Sequence, residues 1–384
     1  MNMAADKKVL IMAGGTGGHI FPALSIARQL QSLGVEVEWL GTLKGMESAL
    51  IPQTGIPIHY ISVSGLRGKS FLTKVLSPFV IVIAIVQAIG KILKTKPSCV
   101  LGMGGFVTGP GGVAAWLLRK PLLIHEQNAI AGFSNQLLYP MASVVMEGFA
   151  GAFNRKQEIT KSSLLKHFYS GDKTVHTGNP LRQEILSCPS PAQRFSDSAN
   201  TDRIKLLVLG GSRGALAINR LMPELLKDFP AAESIELWHQ CGKQNLQTCK
   251  AYYAELGIEE NQNCRIAAFI DDMAEAYCWA DVVICRAGAS TVAEIAAVGV
   301  PAVFIPFPFA VDDHQTANAI IMQKLGAAWL IQQQELSPER LGSVLMQFIE
   351  DKTLILKAAL LAQQAAKTDA TEQAAKYCME ACYA

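Results

Sequence analysis

The sequence predicts an α/β protein made of two similar domains, each built around a parallel β-sheet. Apolar, β-branched runs alternate with helix-like stretches, this alternation restarts in the middle of the chain, and glycine-rich loops follow several of the runs. Continuous apolar strands are typical of parallel sheets that are covered by helices on both faces. A length of 384 residues also suits two domains of about 100 to 200 residues each.

The predicted strands form two sets. In the first half of the chain they lie at residues 9–13, 35–40, 58–63, 100–103, 122–125 and 144–146. In the second half they lie at residues 204–209, 235–239, 266–269, 282–285, 302–305 and 328–331. Between the two sets, the polar residues 154–177 and the Ser-, Pro- and Asn-rich residues 187–202 predict surface segments or linkers. We therefore predict a first domain at 1–181 and a second at 182–368.

Composition narrows the functional classes. Half of the residues are hydrophobic, and the formal net charge is +2. Such a charge gives no global attraction to nucleic acid, so we expect no nucleic-acid partner. The nine cysteines include no C-x-x-C pair, which favours free buried thiols over a metal site, as in a reduced cytosolic protein.

The sequence also predicts that the chain neither carries a signal peptide nor crosses a membrane. Residues 1–8 are followed by only a short apolar run before the first glycines, so a signal-peptide core is missing. The most apolar segment, residues 79–86, is shorter than the roughly 20 residues that a spanning helix needs. We expect a cytosolic location.

The first glycine-rich loop, residues 14–19, has the sequence GGTGGH and precedes a helix that we predict to open with Pro22. Unpaired backbone N–H groups and the helix dipole would face this loop, and glycine allows an anion to approach closely. Ile20 stands where a dinucleotide-binding loop needs a third small residue. The loop therefore predicts a phosphate site and argues against NAD.

Two further glycine-rich loops follow predicted strands. Residues 102–112 precede a predicted helix at 113–119, and residues 210–214 open the second half of the chain. The glycines of the second loop fit tight helix–sheet packing as well as they fit ligand contact. Because ligands of open α/β sheets bind beyond the carboxyl ends of the strands, two such domains would hold two substrates in a cleft.

Residues 286–294 repeat the order of strand, small-residue turn and helix. Thr291 and Glu294 have the spacing of a capping box, which alone would explain both residues. Alternatively, Glu294 accepts hydrogen bonds from ribose hydroxyls while the start of the helix faces a diphosphate. The sequence leaves both interpretations open.

No D-x-D pair occurs in the chain, so we expect no dedicated divalent metal site and no metal cofactor. The acidic pairs are the adjacent residues Asp271 and Asp272, and Asp312 and Asp313. Adjacent aspartates are more often helix caps or solvated turns. Helix termini must then stabilise the charge of a leaving diphosphate.

Three residues are candidate general bases. His19 lies in the first glycine loop, and His125 and Glu126 end a predicted strand, where active-site residues of α/β sheets collect. An unperturbed histidine, with a pKa near 6.5, suits removal of a hydroxyl proton at neutral pH.

In combination, these segments resemble the peptidoglycan N-acetylglucosaminyltransferases of glycosyltransferase family 28, which make lipid II from lipid I. The matching segments cover nearly the whole chain in order, at residues 14–22, 102–112, 125–128, 178–180, 210–214, 287–294 and 313–318. The resemblance implies a GT-B fold, with two Rossmann-like domains whose parallel sheets face each other across a cleft. The first domain would bind the lipid acceptor and the second UDP-GlcNAc, and a terminal helix at 369–384 would pack back on the first domain.

The resemblance further implies an inverting transfer of GlcNAc to the C4 hydroxyl of a muramyl residue. The donor-binding residues that it implies are Thr16, Gly17, Gly18, Asn128, Arg182, Ser212, Ile270, Ala289, Ser290, Thr291, Val292, Ala293, Glu294, Gln315 and Asn318. The backbone of Ile270 would contact uracil, Glu294 would bind ribose, and Gln315 would bind sugar hydroxyls.

We expect the acceptor diphosphate at the first two glycine loops, with contacts from Gly14, Gly15, Gly104 and Gly105. One position departs from the family pattern, because Phe106 stands where the resemblance leads us to expect tyrosine. A role for a hydroxyl at that position is therefore lost.

The resemblance also implies attachment to the cytoplasmic face of the bacterial inner membrane. Before the apolar run at 79–86, apolar and basic residues alternate as in an interfacial segment attracted to anionic lipid, namely Leu66, Arg67, Lys69, Phe71, Leu72, Lys74 and Leu76. The alternative is a buried helix flanked by solvated lysines. The implied partners are UDP-GlcNAc, lipid I, an anionic membrane surface, and other proteins of cell-wall synthesis and cell division.

Two other functions remain as alternatives. A UDP-GlcNAc 2-epimerase would share the two-domain architecture without needing a lipid acceptor, and the basic and apolar stretch after Leu66 argues against it. A non-enzymatic, membrane-associated nucleotide-sugar sensor would need the donor loops but no general base.

Overall fold

The structure, a computed structural model, describes residues 7–63, 71–154, 173–198, 203–211 and 214–383, without the side chains of residues 71–77, 196–198 and 311. The chain divides into two compact units. The first unit comprises Met1–Arg182 and Lys367–Ala384, and the second comprises Gln183–Ala366.

Among the described residues, each unit contains one sheet, and all neighbouring strands in it are parallel. The seven strands of the first sheet have the order β3-β2-β1-β4-β5-β6-β7, and they are β1 Lys8–Met12, β2 Glu36–Gly41, β3 Ile58–Tyr60, β4 Cys99–Gly102, β5 Leu122–Glu126, β6 Val144–Glu147 and β7 Thr174–His176. The six strands of the second sheet have the order β10-β9-β8-β11-β12-β13, and they are β8 Ile204–Leu209, β9 Ile235–Gln240, β10 Cys264–Ala267, β11 Val282–Cys285, β12 Ala302–Phe304 and β13 Ala328–Leu330. Both orders contain the 3-2-1-4-5-6 arrangement of a Rossmann fold.

Helices connect the strands, as parallel pairing requires. In the first unit they are α1 Gly17–Ser32, α2 Glu47–Leu50, α3 Phe71–Thr95, α4 Thr108–Leu117 and α5 Phe133–Leu138. The second unit contains α6 Gln183–Leu186, α7 Pro191–Ser198, α8 Leu216–Asp228, α9 Leu246–Glu255, α10 Met273–Trp279, α11 Ala289–Val298, α12 His314–Lys324, α13 Pro338–Glu350 and α14 Thr353–Ala365. The last helix, α15 Ala370–Tyr383, returns to the first unit.

Both faces of the first sheet are buried, which explains why its strands are apolar without alternation. Val9 and Ile11 pack in one core cluster with residues of α1 and α15. Leu10 and Met12, which point to the opposite face, pack in a second cluster with residues of α3 and α4. The second sheet is covered by α8, α9 and α13 on the face whose core cluster includes Phe348.

Every predicted strand overlaps an observed one, but β7 and α7, among the described residues, lie in segments that were predicted as surface segments or linkers. Thr174–His176 forms β7 at the edge of the first sheet, although we had predicted a polar surface segment there. Its three residues include only one apolar side chain, so they carry no clear strand pattern. Pro191–Ser198 forms α7 inside the predicted linker, where Arg194 donates to the carbonyl oxygens of Val298 and Gly299.

The prediction that all cysteines are free is wrong for one pair. Cys188 and Cys278 form a disulfide within the second unit. They are 90 residues apart in the sequence, so no local spacing indicated the pairing. The remaining cysteines are free and buried.

The last helix, α15, is an integral part of the core of the first unit. Ala374, Ala375 and Cys378 are fully buried in the cluster that contains Val9 and Ile11. Thr371 Oγ1 accepts a hydrogen bond from the Leu181 amide at 3.1 Å. The end of the chain is therefore fixed on the first unit by both packing and hydrogen bonding.

We predict that Ala374→Leu destabilises the first unit by about 1–3 kcal/mol, because the added atoms overpack a filled core. The matched control, Lys376→Leu, adds a leucine at an exposed position of the same helix and should change stability by at most about 0.5 kcal/mol. Urea unfolding measures both effects. Equal stability of the two variants would show that α15 does not pack as described.

Candidate functional site

The first glycine loop ends in the first turn of α1, and this places His19 in that turn. Helix α1 begins at Gly17, with Thr16 as its N-cap residue in an extended conformation. The prediction that the helix opens with Pro22 is therefore wrong, since Pro22 lies inside it. The glycines before Pro22 have low helix propensity, so the sequence did not predict that the first turn of the helix includes them.

A buried carboxylate supports the first glycine loop from beneath. Glu47 is fully buried, and its Oε2 accepts a hydrogen bond from the Gly15 amide at 3.0 Å. Its Oε1 accepts from both the amide and the hydroxyl of Thr42 at 2.8 Å. A side chain at Gly14 would lie 2.6 Å from this carboxylate. Because the Gly15 amide is already engaged, an anion at this loop must rely on other donors.

The first and second glycine loops touch through their backbones. Gly105 has a φ of +82°, and a Cβ there would collide with the carbonyl oxygen of Gly14. Gly104 has a φ of +99°, and a Cβ there would lie 2.7 Å from Nδ1 of His19. The Gly104 amide donates to Thr108 Oγ1 at 3.1 Å. Only glycine permits both the backbone conformation and this approach.

The other glycines of the second loop serve helix packing. Helix α4 begins at Thr108 rather than at residue 113, so the predicted helix start is wrong. A Cβ at Gly112, within α4, would lie 2.6 Å from Leu138 Cδ1. A Cβ at Gly102 would lie 2.6 Å from Thr108 Cγ2. At these positions the packing interpretation accounts for glycine without a ligand.

Gln127 orients the imidazole of His19. The Gln127 side chain is buried, and its Nε2 donates to the Met103 carbonyl at 2.8 Å and lies 3.4 Å from the His125 carbonyl. Its Oε1 must therefore face His19 Nδ1, which lies 3.1 Å away. A carbonyl oxygen only accepts, so Nδ1 carries a proton, and in the neutral ring the lone pair is on Nε2. His19 is half-buried.

His125, by contrast, is a structural residue in this arrangement. It is fully buried, and its Nε2 donates to the Gly178 carbonyl at 2.9 Å. Nδ1 has no hydrogen-bond partner within the part of the chain that the structure describes. Burial lowers the pKa of His125 to about 4, so the ring is neutral at pH 7. A group with no exposed surface cannot reach a substrate hydroxyl.

Glu126 shapes the loop that follows β5. Its Oε1 accepts from the amide of Asn128 at 2.9 Å and from Asn128 Nδ2 at 3.2 Å. Its Oε2 accepts from the Gly132 amide and from Asn135 Nδ2, both at 2.9 Å. With both oxygens engaged in a buried position, Glu126 is a poor general base. Among the three candidates, the geometry favours His19.

In the second unit, the start of α11 differs from the predicted capping box. Gly288 is the N-cap residue and offers no side chain to the helix. Thr291 therefore lies in the first turn, and the capping-box interpretation of Thr291 and Glu294 is wrong. Glu294 Oε2 instead accepts a hydrogen bond from the Tyr277 hydroxyl at 3.1 Å. The N-terminus of α11 carries the positive end of the helix dipole, which favours an anion.

Other predicted donor residues of the second unit differ in exposure. Ile270 is buried in the segment after β10. Gln315 Oε1 accepts from the Phe307 amide at 2.9 Å, which orients that side chain. Asn318 is fully buried and donates from Nδ2 to the Ala287 carbonyl at 3.1 Å. This bond, which joins α12 to the turn before α11, accounts for Asn318 without a sugar.

Sequence reasoning assigned no role to Arg286, although it is part of the turn before α11. Its Nη1 donates to the carbonyl oxygens of Ile305 and Pro306 at 3.0 Å, and its Nη2 donates to Gln333 Oε1 at 2.6 Å. Burial lowers the pKa of Arg286 from its usual range. The guanidinium thus fixes the segment that follows β12.

The predicted site residues fall into both units. Those of the first unit include five predicted donor residues, namely Thr16, Gly17, Gly18, Asn128 and Arg182. The guanidinium of Arg182 lies 5.9 Å from the ring centroid of Phe21. Ser212 lies outside the described residues, as do Leu66, Arg67 and Lys69 and the side chains of Phe71, Leu72, Lys74 and Leu76.

Of the acidic pairs, Asp272 has a local structural role. Asp272 caps α10 by accepting from the Glu275 amide at 2.8 Å, which is one of the two roles, helix cap or solvated turn, that the sequence predicted for adjacent aspartates. Asp312 and Asp313 both have positive φ values, of 52° and 51°. Among the described residues, no group of three or more His, Cys, Asp or Glu side chains could hold a metal ion.

Two Rossmann-like units, each with a glycine turn at the carboxyl edge of its sheet, define a protein of the GT-B glycosyltransferase class. The chain belongs to glycosyltransferase family 28, since the models of the N-terminal and C-terminal domains of that family match residues 9–147 and 205–374.

Similar proteins match this chain over nearly its full length. A Marinobacter nauticus protein is 48% identical over 383 residues, with 99% of each chain covered, and one from Nitrosococcus oceani is 45% identical over 373 residues, with 97% of this chain and 98% of the relative covered. Both are named UDP-N-acetylglucosamine–N-acetylmuramyl-(pentapeptide) pyrophosphoryl-undecaprenol N-acetylglucosamine transferase. The crystal structure of Acinetobacter baumannii MurG is 38% identical with a TM-score of 0.76, covering 97% of this chain and 99% of its own.

A Listeria monocytogenes structure described as a putative UDP-N-acetylglucosamine 2-epimerase is also similar. It has a TM-score of 0.63 at 15% identity, covering 96% of this chain and 94% of its own. At that identity the likeness shows a shared fold alone.

We predict that the stability of the first unit falls on acidification because of His125. Its folded pKa of about 4 lies below the ordinary value, so the unfolded chain binds a proton more tightly. Stability is therefore complete above about pH 6.5 and falls as the pH drops towards 4, by about 3 kcal/mol in total. Hydrogen exchange of peptides from β5, measured at several pH values, reports this loss.

The variant His125→Gln tests the origin of this pH dependence. Its amide can still donate to the Gly178 carbonyl but does not titrate, so the decline between pH 6.5 and 4 should flatten. His176→Gln, at an exposed position of β7, is the matched control and should retain the decline. An unchanged pH profile in His125→Gln would contradict the assignment.

Proposed function

We propose that this chain transfers N-acetylglucosamine from UDP-GlcNAc to the C4 hydroxyl of the muramyl residue of lipid I, with inversion, and so makes lipid II for peptidoglycan synthesis. The observation that carries the proposal is the full-length match, at 44–48% identity, to relatives named as this transferase. The epimerase alternative has only a likeness of fold in its favour.

In the proposed site, the second unit binds the donor. The start of α11, which has no side-chain cap, faces the diphosphate of UDP, while Glu294 accepts hydrogen bonds from the ribose hydroxyls. The backbone of Ile270 contacts uracil, and Gln315 contacts the sugar. As the bond from the sugar C1 to the diphosphate breaks, negative charge grows on UDP, and the helix dipole stabilises it.

His19 is the proposed general base. Its Nε2 takes the proton of the C4 hydroxyl while the hydroxyl oxygen forms a bond to C1 of GlcNAc and UDP departs. Gln127 contributes by holding the proton on Nδ1, 3.1 Å from its own Oε1. Without that bond the ring could adopt the other tautomer, in which Nε2 is protonated and cannot act as a base.

The acceptor diphosphate is proposed to bind at the first two glycine loops. Gly104 and Gly105 bring these loops into contact, and Gly14 lies at that contact. The amides of Gly15 and Gly104 donate to Glu47 and to Thr108. These two glycines are therefore proposed to shape the loops, and other backbone N–H groups would contact the diphosphate.

The activity is tested by incubating the purified protein with labelled UDP-GlcNAc, with and without lipid I and without added metal. We expect label in lipid II only when lipid I is present. Label that remains in UDP-GlcNAc despite the lipid would contradict it. Conversion to UDP-ManNAc would instead support an epimerase.

We predict that His19→Gln lowers kcat by about 10²–10⁴-fold, the usual contribution of general-base catalysis. The affinity for UDP-GlcNAc, measured by calorimetry, should remain unchanged. Gln127→Leu should also lower kcat, by a smaller factor, because part of the His19 population changes tautomer. Full activity of His19→Gln, with intact donor binding, would exclude His19 as the base.

The proposed location is the membrane surface, and it rests on an exposed apolar patch of the first unit. On α3, the exposed fractions of Phe79, Val82, Ile83 and Val86 are 68%, 57%, 53% and 62%. On the neighbouring helix α4, Trp116 is 51% exposed. The four α3 residues are spaced i, i+3, i+4 and i+7, so they lie on one face of the helix and form the α3 patch. Such a surface is expected to insert shallowly among lipid headgroups.

Helix α3 is longer than the apolar run at residues 79–86. Pro78–Thr95 is long and apolar enough to cross a membrane by length and composition, so length alone does not exclude spanning, contrary to our prediction. However, Ala84, Ala88 and Ile92 are buried in the core of the first unit. A helix with one face in a folded core favours peripheral attachment, and we propose that arrangement.

We predict that Phe79→Ser combined with Val82→Ser weakens binding to vesicles at least about tenfold, because each buried apolar side chain contributes about 1.5–3 kcal/mol. Sedimentation with vesicles of phosphatidylcholine and phosphatidylglycerol measures the effect. Leu360→Ser, at an exposed leucine of the second unit, is the control and should bind as the wild type does. Equal binding of the double variant would contradict the patch assignment.

A further inference from the structure

We infer that Tyr277 is a positioning residue for recognition of the donor ribose, acting through Glu294. This inference rests on the proposed function, in which Glu294 binds the ribose of UDP-GlcNAc. Tyr277 itself would not touch the nucleotide. Its contribution is the orientation of the Glu294 carboxylate.

The contact joins two neighbouring helices of the second unit. Tyr277 lies in α10 and is 1% exposed, and its hydroxyl donates to Glu294 Oε2 at 3.1 Å. Glu294 lies in α11 and is half-buried. A hydrogen bond from a buried phenol to a charged carboxylate is stronger than one between neutral groups.

The orientation of Glu294 matters because the carboxylate must match two adjacent hydroxyls of one ribose. A glutamate side chain loses much rotational freedom when it is fixed, and this entropy opposes binding if fixing happens only when the ligand arrives. A carboxylate already held by Tyr277 has lost that freedom before UDP binds. The expected benefit is a several-fold gain in affinity.

Helix α10 is itself held firmly, so it can serve as an anchor. Asp272 caps its first turn, and Cys278, the residue after Tyr277, forms a disulfide with Cys188. Ala276, on its other side, is fully buried. These contacts fix the position of the phenol relative to α11.

Calorimetric titration with UDP tests the inference in four proteins, namely the wild type, Tyr277→Phe, Glu294→Ala and the double variant. Tyr277→Phe should weaken UDP binding about three- to tenfold, the equivalent of fixing one flexible side chain. In the Glu294→Ala background the same change should have no further effect, because its target is gone. This non-additivity is the signature of a positioning role.

A second readout is the preference for ribose hydroxyls. Tyr277→Phe should reduce the ratio of affinities for UDP and 2′,3′-dideoxy-UDP, while kcat at saturating donor stays unchanged. The matched control is Tyr253→Phe. Tyr253 is equally buried in the second unit, but its hydroxyl pairs with His239 Nδ1 at 2.9 Å, so its loss should leave UDP affinity unchanged.

The results distinguish a failure of the role inferred for Tyr277 from a failure of the proposed ribose contact of Glu294. If Tyr277→Phe weakens UDP binding equally in both backgrounds, Tyr277 acts through the general fold and the inference is overturned. If Glu294→Ala leaves both UDP affinity and the dideoxy preference unchanged, the ribose assignment fails, and the inference fails with it. Transfer of label to lipid I would still decide the proposed activity independently.

Discussion

The backbone contact between Gly14 and Gly105 is the constraint on which the candidate site of the first unit depends. It brings the loop after β1 against the loop after β4, and no residue larger than glycine fits at Gly105. The neighbouring Gly104 leaves room for the ring of His19. From that position the imidazole reaches Gln127, whose amide is anchored on the second loop. The close approach of the two loops therefore places His19 where Gln127 can hold the proton on Nδ1 of its ring.

Buried carboxylates accept hydrogen bonds from the loops at the carboxyl edge of the first sheet. Glu47 supports the loop after β1, Glu126 organises the loop after β5, and Glu147 accepts from the amides of Gly151 and Phe153 after β6. Each negative charge is matched by backbone N–H donors, which are strong partners for an ionised oxygen. The loops are therefore held by groups that lie beneath the surface at which substrates would bind.

The local sequence pattern predicted the strands, because a strand of a buried parallel sheet is a local run of apolar residues. The apolar runs identified every strand except β7, and the strand order followed Rossmann topology once two parallel sheets were expected. Helix starts were misplaced because Gly17 and Gly111 lie inside helices, where propensity argues against them. The roles of Glu47, Gln127 and Tyr277 were missed because each arises from a contact with a distant segment. Likewise, His125 and His19 differ as candidate general bases because His125 is fully buried and His19 is not. This difference in burial could not be read from the spacing of residues in the sequence.

The most direct test of this account is the tautomer of His19, measured from the ¹⁵N chemical shifts of its ring in histidine-labelled protein at neutral pH. We expect the tautomer with the proton on Nδ1 and the lone pair on Nε2 in the wild type, and a mixture of tautomers in Gln127→Leu. A wild-type ring protonated on Nε2 alone would contradict this assignment, since Nε2 would then have no lone pair to accept the proton of a sugar hydroxyl.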